Sequence, residues 1–168
     1  MNRSVQDKLE TKFTIKLEDE LYEEALRHNF NKIDKSDKRI TNARLAYLGD
    51  FIVNAVIGDY YFRKYPDWTP GNLTKDSNDM QSDTFLAQKW LELGIEDEVL
   101  GPNSPNDALG KITMHAKALE ALFGAIYYIH GYGLAKELII THIVDEELLE
   151  RLREDGTIKP IQSALLVN

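Results

Sequence analysis

The sequence predicts an all-α fold. Apolar residues recur at three- and four-residue spacing in every long segment, and no segment alternates apolar and polar residues with a period of two. The periodic segments are separated by glycine, proline and asparagine clusters that stop helices. At 168 residues, 43% hydrophobic and 29% charged, the chain is long enough for one domain with a substantial core.

The elements follow in order. Residues 1–16 are polar and read as a frayed segment ahead of the domain, which spans 17–155. "LEDELYEEALRHNF" (17–30) sets Leu17, Leu21, Ala25 and Leu26 at helical spacing, with acids early and Arg27 and His28 late, as the helix dipole favours. "NKIDKSDKRITN" (31–42) is a charged connector. Thr41 or Asn42 then caps a helix running to about Lys64, along which Leu45, Leu48, Ile52, Val56 and Tyr60 keep the spacing. "YPDWTPGN" (65–72) breaks it with two prolines and a glycine. "LTKDSNDMQSDTFLAQKWLELG" (73–94) reads as one or two helices ending at Gly94, and 101–110 as a loop. "ITMHAKALEALFGAIYYIHG" (112–131) is a helix ended by Gly131, and 133–155 is helical throughout with a bend near 142–144. The tail, 156–168, carries no predicted element.

Composition narrows the function classes. With no cysteine, the chain has neither a disulfide framework nor a thiolate metal site, which fits the cytoplasm. The N-terminus lacks the apolar region of a signal peptide, and the apolar runs are too short and too charged to span a membrane. A net charge of −8 argues against a simple electrostatic binder of nucleic acid, but not against an enzyme with an acidic metal site and local basic contacts.

Two carboxylates stand out because each interrupts an apolar helix. Asp50 follows Gly49 in "NARLAYLGDF" and shares a face with Ala43 and Ala46, at i, i+3 and i+7. Glu120 sits in "KALEALFGAIYY" between Leu119 and Ala121. A buried carboxylate is costly without a partner. A shared divalent cation is one solution, since Mg²⁺ takes oxygen ligands and keeps several waters. The plainer solution is a cap or hydrogen bond for Asp50 and an i−3 ion pair with Lys117 for Glu120. His28, His115, His130 and His142 form no ligand pair and read as structural. No phosphate loop, nucleophile elbow or dinucleotide fingerprint is present. "YYFRKYPDW" (60–68) reads as a stacking surface for nucleic acid or, more simply, as a core helix end with a basic rim. The run 145–155 is a solvated helix face.

In order and spacing these pieces resemble the ribonuclease III endonuclease domain, over about residues 18–142. "LYEEALRHNF" is similar to the family's opening helix, and "NARLAYLGDFIVNAVIGDYYFRKYP" to its signature helix, which ordinarily reads N-E-R-L-E-F-L-G-D. "GNLTKDSNDMQSDTFLAQKWLELG" resembles the next helix, and "HAKALEALFGAIYYIHGYGLAKELI" the late A-D-x-x-E-A-L-x-G-A-x-Y signature with its glycine turn. The resemblance implies an all-α homodimer that uses Mg²⁺, or Mn²⁺, to direct water at a phosphodiester of double-stranded RNA, leaving a 5′ phosphate and a 3′ hydroxyl. It implies that Asp50 and Glu120 are metal ligands and catalytic residues, and that Gly49 is a close-packing position. Lys75, Lys89, Lys111 and Lys117 are the basic residues expected to assist RNA binding.

The chain departs from the family pattern in three places. Ala43 and Ala46 stand where the signature glutamates are, and Lys117 where the late aspartate is. The closest pattern is the compact Mini-III branch, which lacks a double-stranded-RNA-binding domain, reads "LAYxGD" and processes ribosomal RNA precursors. Lys117 matches neither pattern. Asp76, Asp79 or Asp83 could supply a substitute ligand. Two functions follow: an active Mg²⁺-dependent endoribonuclease, or an inactive ribonuclease III fold serving as an RNA-binding or ribosome-associated scaffold, with Lys117 in place of the metal.

Overall fold

The computed structural model describes residues 3–16, 19–27, 41–94, 105 and 107–158. Among these residues there are seven helices and no strand, as the periodicity predicts: α1 (Arg3–Phe13), α2 (Asp19–Leu26), α3 (Ala43–Lys64), α4 (Pro70–Met80), α5 (Asp83–Glu92), α6 (Ala108–His142) and α7 (Glu146–Glu154). The connector at 31–40, the loop at 101–104, His28 and the tail beyond 158 lie outside the described residues. No helix among the described residues is long and apolar enough to cross a membrane.

The centre is the pairing of α3 with α6, onto which α5 and α2 pack from α6's side and α4 from α3's. Val53, Val56, Ile57 and Tyr61 of α3 meet Leu119, Leu122, Phe123 and Ile126 of α6 in one core with Phe85, Leu86 and Trp90 of α5. Asn42 stands at the N-cap position of α3 but does not cap it. Its side chain donates to the Ala25 carbonyl at 3.2 Å, and its backbone N–H to Arg27 at 2.8 Å, fastening the start of α3 to α2.

The segment 73–94 resolves into two helices, each with its own cap. Thr69 receives the Asn72 N–H, with Pro70 as the first helical residue, and Ser82 receives the Phe85 N–H. Gly131 interrupts the helical geometry of α6 at φ 81°, as its sequence position predicts, but the helix resumes at once. The segment 133–155 is broken rather than bent: α6 ends at His142, and Asp145 caps α7 by accepting the Leu148 N–H at 2.9 Å.

One expectation needs correcting. The polar N-terminal segment contains a full helix whose Leu9 and Phe13, 1% and 2% exposed, belong to the core. Two apolar residues one turn apart are enough to dock a helix whose other faces are charged. The aromatic run at 60–68 takes the plainer of its two readings. Tyr65 and Trp68 stack on each other at 3.9 Å beside buried Tyr61, and Lys64 on the rim pairs with Glu146 at 2.6 Å.

Candidate functional site

The site begins with two glycines. A Cβ on Gly49 would lie 1.8 Å from the Glu120 carbonyl oxygen, and one on Gly124 would lie 2.1 Å from that of Leu45. Here α3 and α6 touch main chain to main chain, which only glycine permits. Small buried neighbours, Ala46, Ala121 and Ala125, line the same seam. Asp50 follows one of these glycines, and Glu120 contributes the carbonyl that the other helix presses against. Backbone packing therefore brings the two sequence-predicted carboxylates to one seam.

Each acid has a partner. Half-buried Asp50 accepts a hydrogen bond from Asn54, one turn on, at 3.2 Å. Glu120 is 2% exposed, and both its oxygens accept from the Lys117 ammonium, at 2.8 and 2.7 Å. Thr113 donates to Asp83 at 3.4 Å, joining the start of α5 to α6 one turn before Lys117. Burial pushes the Glu120 carboxyl up to about 7; the Lys117 hydrogen bond opposes this, while the charges of Asp50 and Asp83 add to it. Burial pulls the Lys117 ammonium down, but its hydrogen bond to Glu120, helped by the charges of Glu120, Asp83 and Asp50, outweighs this and holds it above its ordinary value. Three acids and one ammonium thus form a single electrostatic group.

This chemistry suits a divalent cation. Glu120 is buried with a single ammonium on both its oxygens, and burial raises its carboxyl more than that ammonium lowers it. Mg²⁺ is commonly held by one or two carboxylates with waters and substrate phosphate completing the shell, which Asp50 and Glu120 match. Among the described residues no three histidine, aspartate or glutamate side chains are placed to ligate one ion together, so the closed protein cage of a structural zinc is not built from them. Lys117 is the group with which any ion must share Glu120.

The remaining predicted residues separate by location. Asp76 and Asp79 do not reach the site: Arg153 of α7 holds them at 2.8 and 2.6 Å. Of the three candidate substitute acids, only Asp83 faces the cluster. Lys111 is exposed and Lys75 half-buried, both without an ion pair among the described residues. Lys89 is corrected: it is 8% exposed, and its ammonium is taken by Glu92 at 2.8 Å and Asp145 at 3.1 Å. It lies on the buried flank of α5 between Leu86 and Trp90, so it ties α5 to the cap of α7 instead of facing RNA. Among the histidines, His115 stacks beside Trp90, His130 contacts the Lys16 carbonyl, and His142 meets Phe13 edge-on. Sequence reasoning missed Asn54, Thr113 and Gly124. The i+4 spacing from Asp50 could have found Asn54, whereas the other two depend on helix packing.

Beside this seam Tyr47, Phe51 and Tyr128 are exposed, with Tyr47 and Phe51 in edge contact at 5.1 Å. Tyr47 and Tyr128 border a cleft lined also by Leu21, Ala43 and Leu48.

Comparison with known proteins adds an independent line. Residues 18–147 match the family model described as Ribonuclease-III-like. The chain is 32% identical to Ribonuclease 3 of Borreliella burgdorferi over 124 residues, covering 72% of this chain and 50% of that one. It is 30% identical to Ribonuclease 3 of Nitratiruptor sp. over 163 residues, covering 95% and 69%. It thus spans about half the length of several of these relatives. Among solved structures, two of the nuclease domain of ribonuclease III from Campylobacter jejuni superpose with TM-scores of 0.69 and 0.70, at 30% and 29% identity. They cover 86% and 90% of this chain and 96% of the domain, and the first was characterised for flexibility in a region involved in dimer formation.

Proposed function

The chain belongs to the ribonuclease-III-like family, and from that premise we propose that it is an endoribonuclease hydrolysing phosphodiester bonds in double-stranded or structured RNA. The observation that carries the reading is that Asp50 and Glu120 lie on the two helices that Gly49 and Gly124 bring into main-chain contact. Burial of Glu120 makes the acid costly to the fold, which fits a residue kept for chemistry. Asp50 and Glu120 would hold Mg²⁺ or Mn²⁺, which when bound activates water and neutralises charge developing on the phosphate. Asn54 orients the Asp50 carboxylate. Asp83 adds negative charge without touching the pair. Lys75, Lys111 and Lys117 meet RNA phosphates, giving the salt-sensitive binding expected of an acidic protein with a few local cations. The Mini-III-like loss of the signature glutamates leaves a two-carboxylate site, with ribosomal RNA precursors as the natural class of substrate. Tyr47, Phe51 and Tyr128 supply the apolar face of a homodimer.

The bond between Lys117 and both Glu120 oxygens favours a second reading, in which the ammonium permanently replaces the metal and the fold serves as an RNA-binding scaffold. One experiment separates the two. Purified protein is incubated with long duplex RNA and Mg²⁺ or Mn²⁺, beside Asp50→Asn and Glu120→Gln variants and an active ribonuclease III. Cleavage by the wild type alone, leaving 5′ phosphates, supports the endoribonuclease. RNA bound but intact in all three supports the scaffold, and RNA neither bound nor cut overturns both. Light scattering at micromolar concentration checks the dimer, which a monomeric mass would overturn.

A further inference from the structure

Lys117 holds the two oxygens that an ion at Glu120 would share. Its ammonium holds both Glu120 carboxylate oxygens, and a divalent cation needs lone pairs on those same atoms. The two side chains differ sharply in freedom. That of Glu120 is 2% exposed, held in the seam between α3 and α6, while that of Lys117 is 38% exposed. A lysine carries its charge on a flexible four-carbon stem and can swing outward by changing rotamers. The short, enclosed glutamate cannot follow. An RNA backbone brings fully ionised phosphate oxygens to this mouth, and a phosphate is a natural partner for an ammonium.

We propose that Lys117 is a positioning residue that exchanges the Glu120 carboxylate for a phosphate of the bound RNA, so that Glu120 opens to the metal ion only once substrate is in place. The inference rests on the endoribonuclease reading. Without RNA, the ammonium serves as a resident counter-ion that keeps the buried carboxylate compensated and the ion weakly held. With RNA, the phosphate takes the ammonium, and the seam is left with its acids and a need for positive charge. Asp83, joined to α6 through Thr113 one turn before Lys117, keeps the swinging ammonium in an acidic surround at its other end. The coupling is reciprocal: the factor by which RNA tightens ion binding is the factor by which the ion tightens RNA binding. An aspartate at position 117 would have no such exchange to make, so the lysine gives this chain an ordered assembly of its site.

The test reads ion binding directly. Free Mn²⁺ is followed by electron paramagnetic resonance in titrations of the full chain, with and without a short 2′-O-methyl RNA duplex that keeps the A-form backbone and resists hydrolysis. Titrations run at about pH 8.5, where protons compete less with the ion for Glu120. Without RNA, Lys117→Met and Lys117→Gln should bind Mn²⁺ about tenfold tighter than the wild type, within the usual range of coupling between sites. The duplex should tighten the wild type and Lys117→Arg by a similar factor and leave the two neutral variants unchanged. Glu120→Gln supplies the background from RNA and the other acids, and circular dichroism confirms which variants are folded. Equal RNA-free affinity in the wild type and the folded neutral variants, or no gain for the wild type on adding duplex, refutes the exchange. Mn²⁺ binding lost in Glu120→Gln would, in that case, leave the endoribonuclease reading standing. No Mn²⁺ bound by any variant, with or without duplex, removes both.

Discussion

Replacing Gly49 with alanine tests the contact on which the site is built. The new Cβ would lie 1.8 Å from the Glu120 carbonyl oxygen and 2.9 Å from the Gly124 nitrogen, against about 3.4 Å for ordinary contact, a shortfall of 1.6 Å at the worst atom. Those atoms belong to the interior of a helix and cannot rotate away, so α3 and α6 must part. Opening a packed seam by 0.5–1 Å forfeits roughly a quarter to a half of the dispersion energy across it. Each large apolar side chain buried along this seam contributes about 2 kcal/mol. Across Leu45, Val53, Val56, Leu119, Leu122 and Phe123 the loss comes to about 4 kcal/mol, against about 1 kcal/mol gained from alanine's helix propensity. The net cost is about 3 kcal/mol, a fall of roughly 6–12 °C in melting temperature for a domain of this size. Gly58→Ala is the matched control on the same helix: its Cβ would meet nothing within 4 Å. It should raise stability by about 0.5–1 kcal/mol. Thermal unfolding followed by far-ultraviolet circular dichroism compares the three proteins. If Gly49→Ala melts at or above the wild type, α3 and α6 are not in main-chain contact, and the placement of Asp50 beside Glu120 falls with it.

Three further outcomes are expected. In metal-free buffer the folded Glu120 keeps its proton up to about 7 and the unfolded one to about 4.5, so the fold binds more protons in that window and its stability falls as pH rises through it. Urea unfolding across that range should show the decline in the wild type and a flatter profile in Glu120→Gln; identical profiles would contradict it. Arg153→Met leaves buried Asp79 and its neighbour Asp76 without their shared cation, and should cost about 3 kcal/mol in denaturant unfolding, with Asp79→Asn restoring part of the loss. Lys89→Met should lower the melting temperature while leaving RNA affinity and its salt dependence unchanged, whereas Lys111→Met should reduce the salt slope by about one, both read by fluorescence anisotropy over a salt series.

Much of the core was legible because helical periodicity is written locally. The spacing of Leu45, Val56 and their neighbours predicted α3, and the family resemblance marked Gly49 as the close-packing position that its contact with the Glu120 carbonyl makes it. What stayed hidden depends on partners distant in sequence. Nothing near Gly124 says that it faces Leu45 across the seam. Leu9 and Phe13 are too sparse a stripe to distinguish a docked helix from a polar tail. The fates of Asp76, Asp79 and Asp83 turned on a break the sequence left open. Ser82 caps a new helix there, so the first two acids stay with Arg153 and the third turns toward α6. Lys89 and Lys111 look alike as letters, and only the flank shared with Leu86 and Trp90 marks Lys89 as a buried counter-ion.

The ends of the fold belong to its core. The family match runs from 18 to 147, yet Phe13 packs edge-on against Phe123 at 5.9 Å, and Leu148, Leu149, Leu152 and Ile158 close the core from the other side. The family model therefore matches a shorter stretch than the one packed into a single core. Trimming the chain to the matched stretch would strip side chains from that shared core and loosen the seam that carries Asp50 and Glu120.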